Sequence, residues 1–208
     1  TVSRRLDDVV SRSTRKKLRR ARARLDGDGR RVAIEHHRRT RDITRLLPEI
    51  EATHIGRDHD RRRHSDLDDG ASRRFWQEVI VAHTYTDELE VSILRIDDEL
   101  AAYVIALRDG AAYRVLDGRM NTAYAAYSPG RVLEAAVLER ALADRSVTTF
   151  DWMTGVAPET ILAANRWQPR STLRAECGMP AAPEVAVDDR SGADGIRSSW
   201  GAPTLVGR

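Results

Sequence analysis

Residues 124–133 read Tyr-Ala-Ala-Tyr-Ser-Pro-Gly-Arg-Val-Leu, an apolar helix follows, and residues 150–155 read Phe-Asp-Trp-Met-Thr-Gly. This turn–helix–strand passage decides the fold. Ser128 is suited to cap a helix, Pro129 to open its first turn, and Gly130 puts no side chain in the way of an approaching anion. The start of such a helix offers unpaired N–H groups and a partial positive charge, a seat for a phosphate or carboxylate. Some way on, Asp151 sits in a short strand that Gly155 ends. That order of parts suggests group transfer from a phosphorylated carrier; an ordinary helix cap is the competing reading of the Ser-Pro-Gly step.

Helix 130–143 is apolar nearly all round, with Val132, Leu133, Ala136, Val137, Leu138 and Leu142, so it is expected to lie buried against a sheet. The sheet is legible upstream. Leu89–Ile96, Glu99–Leu107 and Ala111–Leu116 read as three strands, joined at Asp97-Asp98 and at Asp109-Gly110, a dipeptide favoured in hairpins. Downstream come strand 148–153, a helix near 158–166 and strand 171–177.

Before the sheet, helix 72–84 carries Phe75, Trp76, Val79, Ile80 and His83 on one face. Helix 40–56 carries Ile43, Leu46, Leu47 and Ile50, with a bend expected at Pro48. Val32–His36 alternates as a half-buried strand does. The stretch from Arg57 to Gly70 is almost wholly charged, with Leu67 as its one core residue, and predicts a mobile loop. Residues 3–26 predict a single helix on Leu6, Val10, Thr14, Leu18, Ala21 and Leu25, stopped by Gly27 and Gly29.

Hydrophobic residues make up 41% of the 208 and charged residues 32%, and no apolar run is long enough to span a bilayer as a helix. The chain opens on Thr1 without a charged-then-apolar leader, which predicts a processed or shortened start. Cys177 stands alone and fits a reducing, cytoplasmic setting. The net charge of +3 conceals an asymmetry: residues 1–31 hold 12 basic and 4 acidic side chains, and the remainder 23 and 28. The basic first helix reads as a solvated face or as a contact for RNA, an acidic partner or a phosphorylated cofactor. It has no interleaved aromatic residue to stack on bases. Three segments are expected: residues 1–30 as this basic helix, 31–178 as the folded domain, and 179–208 as a flexible tail punctuated by Pro180, Pro183 and Pro203.

Asp58, His59, Asp60, His64, Asp66, Asp68 and Asp69 are metal-ligand types, but their spacing matches no compact zinc motif and Arg61, Arg62 and Arg63 interrupt them. No metal is expected. His83 is expected to be a satisfied core histidine, and Trp76, Trp152 and Trp167 to pack the core.

The predicted architecture is a mixed, largely antiparallel sheet flanked by helices, an α/β arrangement that resembles the GNAT acetyltransferase superfamily. Details are similar to one branch: Leu18-Arg19-Arg20-Ala21-Arg22-Ala23-Arg24-Leu25, Phe75-Trp76, Leu94-Arg95-Ile96-Asp97 leading into Ala101-Ala102-Tyr103, the Tyr127–Gly130 turn, and Phe150-Asp151 with Gly155. That branch is the acetyltransferase-like domain associated with bacterial cellulose biosynthesis, related to the Fem peptidyltransferases. The resemblance covers roughly residues 3–177.

It implies transfer of an acyl group from acyl-coenzyme A to the amine of a small molecule or cell-envelope precursor. In the Fem branch the implied donor is aminoacyl-tRNA, which the basic helix would serve. Carried over by position, Ser128, Pro129, Gly130, Arg131, Val132 and Leu133 would cradle the carrier's phosphates. Asp151 would be general base or amine anchor, with Glu159 as a second acidic group, while Tyr127 would protonate a leaving thiolate. Each has a structural alternative: a buried carboxylate bonded to backbone N–H groups, a first-turn helix acid, and a core tyrosine. The phosphate loop of relatives holds several glycines where this chain keeps only Gly130, and Thr160-Ile161 stand in place of a tyrosine–lysine pair. These departures leave a third class open, an acetyltransferase fold acting as a binding or assembly module. The exposed apolar residues expected on the first helix suit a missing half-domain or a second copy.

Overall fold

Five strands form one sheet in the order β1-β2-β3-β4-β5, and the first three pairings are antiparallel. They are β1 (Val32–His37), β2 (Leu89–Ile96), β3 (Glu99–Asp109), β4 (Ala112–Met120) and β5 (Thr149–Asp151). The last pairing, β4 with β5, is parallel and covers three residue pairs, Ala112 with Thr149 to Arg114 with Asp151. The helices are α1 (Leu6–Val9), α2 (Arg12–Gly27), α3 (Thr40–Asp60), α4 (Gly70–Thr84) and α5 (Pro129–Ala143). The computed structural model describes residues 5–153 and residue 162, all within one compact unit, Thr1–Asn165. Glu159, Trp167, Cys177, the tail 179–208 and the predicted strand 171–177 lie outside the described residues.

Helices cover both faces of the sheet, so β2 and β3 are buried on both sides and read as near-continuous apolar runs. On one face Leu94, Ile96, Ala102 and Val104 meet Ala21 and Leu25 of α2 and Val132, Leu133 and Val137 of α5. On the other, Leu89, Val91, Ile93 and Ile105 meet Ile43, Leu47 and Ile50 of α3 and Trp76 and Ile80 of α4. Each fully buried side chain of this kind contributes roughly 2 kcal/mol relative to exposure. A third cluster joins Leu6, Val10 and Leu18 to Ala135, Leu138 and Leu162. The mixed, mainly antiparallel sheet flanked by helices is the predicted fold class.

Several local expectations give way. The first helix is two: α1 ends before Val10, and Ser11 starts α2 by accepting the Thr14 N–H at 3.1 Å. The charged stretch after Arg57 is not a plain loop. Arg57–Asp60 finish α3, and a 3-10 turn at Asp66–Asp68 is closed by a capping box on Ser65, with Leu67 buried. α3 runs on through Pro48, which lies on its exposed side. Phe75 on α4 is 68% exposed, because the buried stripe of that helix passes through Trp76 and Ile80 instead. His83 is half-exposed beside Glu88 at 3.5 Å, not a core residue. Ser128 does precede α5, but in the left-handed region (φ 51°), and its side chain makes no capping bond.

β4 carries the fold's main irregularity. Ile105 pairs with Asp117 while Ala106 pairs with Val115, so Leu116 is an extra residue, a β-bulge. A bulge of this kind bends the strand and re-aims the side chains that follow.

Candidate active site

The mouth of α5 is built by a 3-10 turn, Thr122–Tyr127, whose first N–H groups are taken up by Asn121. Pro129 occupies the first position of the helix, where its missing N–H costs nothing. The Val132 N–H reaches back to the Ser128 carbonyl at 3.2 Å. A Cβ added at Gly130 would meet only Met120, at 3.7 Å, an ordinary contact. The protein itself therefore makes no steric demand for glycine at this position.

The turn is tied to the end of α2. Arg24 donates to the Ala126 carbonyl at 2.8 Å, and Tyr127 donates its hydroxyl proton to Asp28 at 2.8 Å. Arg30 donates to the same tyrosine oxygen at 3.2 Å, and its guanidinium lies 5.7 Å from the ring centre. Tyr127 is buried in this arrangement and anchors the turn. Its proton is committed to Asp28.

Asp151 is held at the other end of β4. Arg114 donates to it at 2.9 Å while also holding Asp109, and the Met153 N–H adds a second contact at 2.9 Å. Its neighbour Phe150 stacks on Tyr113 at 5.3 Å and meets Trp152 edge-on. Asp151 faces Arg114, whereas Gly130 stands against Met120, six residues further along β4. At strand rise that separation is about 20 Å. The structure thus places Ser128, Pro129, Gly130, Arg131, Val132 and Leu133 together at one helix start, and sets Asp151 apart from them.

A third group was not apparent from sequence. Beneath α3, just past the bulge, Asp117 accepts from Tyr103 at 2.7 Å, from His54 at 3.2 Å and from Arg119 at 2.7 Å. The other ring nitrogen of His54 faces Asp58 at 3.3 Å. Burial by itself would push the Asp117 carboxyl up, but the His54 hydrogen bond and the Arg119 charge outweigh it and hold the group at about 2. Tyr103 is pushed well up by burial and by the Asp117 charge. The available signal was the period-two spacing of Asp117 and Arg119, a charged pair on one strand face.

Glu134, one turn into α5, behaves in the opposite way. Its Oε2 is sealed from water without a hydrogen-bond partner, and burial raises the carboxyl to about 7 against the pull of Arg131. Among the described residues no group of three or more His, Cys, Asp or Glu is placed to hold a metal. His59 and His64 instead share Asp68. No helix among the described residues is long and apolar enough to cross a membrane.

Residues 12–159 match the acetyltransferase (GNAT) domain family, well over half of the chain, and the chain belongs to that family. No curated protein matches the sequence. Among solved structures it is similar to a conserved protein of unknown function from Bacteroides thetaiotaomicron, at 13% identity and a TM-score of 0.47, over 62% of this chain and 40% of that one. It is also similar to a ribosomal-protein-alanine N-acetyltransferase from Brucella melitensis biovar Abortus, at 18% identity and a TM-score of 0.46, over 68% of this chain and 97% of that one. A possible acetyltransferase from Clostridium difficile follows, at 12% identity and a TM-score of 0.43, over 62% and 82%. The chain spans about two fifths of the Bacteroides protein's length.

Proposed function

We propose that the chain moves an acyl group from acyl-coenzyme A to an amine of a small molecule or cell-envelope precursor. One observation carries this reading. β5 accompanies one end of β4, over Ala112–Arg114, and the other end of β4, at Met120, lies beside Gly130 at the start of α5. Strand amides and carbonyls between those ends call for hydrogen-bond partners. The extended, amide-bearing arm of coenzyme A supplies such partners, and its phosphates fall to the N–H groups at Ser128–Leu133, with Arg131 beside them. The separation of about 20 Å between that cup and Asp151 calls for a carrier with a long arm.

In the transfer, the amine nitrogen bonds to the thioester carbonyl carbon, the carbon–sulfur bond breaks, and the sulfur leaves with the electron pair. The amine sheds a proton and the thiolate gains one. Asp151 is assigned to hold the attacking amine, with Arg114 fixing its orientation. Glu159 keeps its assignment as a second acidic group, and Tyr127 as proton donor to sulfur once its bond to Asp28 opens. Within the family, the motifs favour the cellulose-associated, Fem-related branch.

Calorimetric titration with acetyl-coenzyme A tests the donor. Saturable binding that Gly130→Glu abolishes is expected, whereas no heat at millimolar donor removes the proposal. A second reading, transfer from aminoacyl-tRNA, is favoured by the exposed Lys16, Lys17, Arg19 and Arg20 on α2, whose end is bonded to the turn before the mouth. It requires binding that weakens steeply with salt and is lost when Arg15, Arg19 and Arg22 are reversed in charge. Biological activity unchanged in Asp151→Asn would point instead to a binding module.

A further inference from the structure

At the C-terminal end of α5 lies a cavity of about 450 Å³, a size that accommodates a small metabolite. Measured along the helix it is about 20 Å from Gly130, so it is separate from the proposed carrier cup. Its polar walls are His36, Glu90, Arg108, Tyr113, Arg140 and Asp144.

The floor is a buried carboxylate. Glu90 is 1% exposed and accepts from the Tyr113 hydroxyl at 2.9 Å and from Arg140 Nε at 3.4 Å. Arg140 is thereby anchored through Nε, while its two terminal nitrogens make no hydrogen bond among the described residues and 48% of its side chain is exposed. His36 is fixed through Nδ1, 2.8 Å from the Ser92 hydroxyl, which leaves its Nε2 available. Burial and the nearby Arg140 lower the His36 pKa and keep the ring neutral at neutral pH. Across the cavity Arg108 is paired with Asp144 at 2.8 Å and with Ser146 at 3.0 Å. Ala141 and Ala143 bring in the last turn of α5, whose terminal carbonyls form the negative pole of the helix.

Both signs of charge are therefore presented within one small volume: two guanidinium groups against two carboxylates and a helix C-terminus. A simple anion would meet the carboxylates and the helix end, and a simple cation would meet the arginines. A molecule carrying both charges a few bonds apart satisfies each wall.

We propose that this cavity is a binding site for a small zwitterion, a free amino acid in chemical class. Its carboxylate rests on the outer fork of Arg140 beside His36, and its ammonium is directed to the end of α5, beside Asp144, whose oxygens are held by Arg108 and Ser146. A guanidinium already oriented by a buried partner loses little freedom on binding, which favours this mode of capture.

The test is titration of the full chain with L-alanine and L-glutamate, and in parallel with isopropylamine, propionate and inorganic phosphate, read by calorimetry and melting temperature. A saturable rise with a zwitterion is expected, at least tenfold stronger than with any single-charge probe. Arg140→Gln should weaken it at least tenfold; because it also takes a partner from buried Glu90, Arg140→Lys, which keeps the charge and loses the fork, should weaken it likewise. Gly130→Glu, at the proposed carrier cup, should leave it unchanged. No zwitterion binding at 10 mM (roughly the weak limit for such ligands), equal binding of propionate or phosphate, or full binding in Arg140→Gln would each overturn the proposal. Loss of binding in Gly130→Glu with retention in Arg140→Gln would overturn it too, since the ligand would then sit at the transfer site.

Discussion

Asp117, under α3, and Glu134, on α5, are both carboxyl groups withdrawn from water, and they titrate on opposite sides of the ordinary carboxylate range. Asp117 sits among three donors and is held at about 2; Glu134 has an oxygen with no donor and is raised to about 7. Burial acts in the same direction on both. What separates them is the supply of partners: β4, α3 and β3 each deliver a donor to Asp117, while the first turns of α5 deliver none to Glu134. A buried acid is thus either a fastening or a liability, according to the donors that the fold brings to it.

The largest expected effect tests the fastening. His54→Ala removes a donor from Asp117 and the ring that faces Asp58, and should cost roughly 3–5 kcal/mol in denaturant unfolding at pH 7. A loss under 1 kcal/mol would mean that Asp117 draws its low pKa from Arg119 and Tyr103 alone. The liability should show the reverse sign. Between pH 4.5 and about 7 the folded chain keeps a proton on Glu134 that the unfolded chain releases, so its contribution to stability falls as pH rises through that window. Glu134→Gln should therefore stabilise the protein at pH 8 by up to about 3 kcal/mol and leave it unchanged at pH 4. Equal melting temperatures of wild type and variant at pH 8 would show that water or a partner reaches the carboxylate.

Asp117 gives the acid limb. Its contribution is complete above pH 3.8 and is lost as pH falls through about 2, some 2 kcal/mol in all. Asp117→Asn should flatten that limb of the stability profile. Gly118, next to it, has the Tyr103 carbonyl 3.1 Å from where a Cβ would stand. Because that oxygen belongs to the sheet backbone, Gly118→Ala should cost about 1–2 kcal/mol in thermal unfolding. The smallest change is expected at Arg31 and Asp98, paired at 2.6 Å but 74% and 81% exposed. Arg31→Gln should stay within about 0.5 kcal/mol.

The periodic elements were legible from sequence because each has a solvent side and a core side. α3 shows this at Ile43, Leu46, Leu47 and Ile50, and the hairpin turns at Asp97-Asp98 and Gly110 adopt the positive φ that their residue types allow. Pro129 and Gly130 likewise marked where α5 begins. The polar interior was not legible. Asp117-Gly118 looks like the end of a strand, yet the bulge at Leu116 lets β4 continue to Met120 and turns Asp117 inward. His54 looks like a surface position on a charged helix until Tyr103 and Asp117 arrive from 49 and 63 residues away. Glu134 resembles any helix glutamate, since its isolation is a property of packing. The cap went wrong at Ser128 because a left-handed serine cannot be told from a capping one by residue type.

The three-pair contact between β4 and β5 has a kinetic consequence. The β2–β3 and β3–β4 hairpins close short loops and pair eight residues each, whereas β5 must wait for α5 to cross before it gains three pairs. Ordering it repays the entropy of a long closure with few bonds. β5 should therefore zip up last during folding, and its amides should exchange with deuterium through local fraying long before those of β2 and β3. The strand carrying Asp151 is in that sense the hinge of least resistance in the sheet.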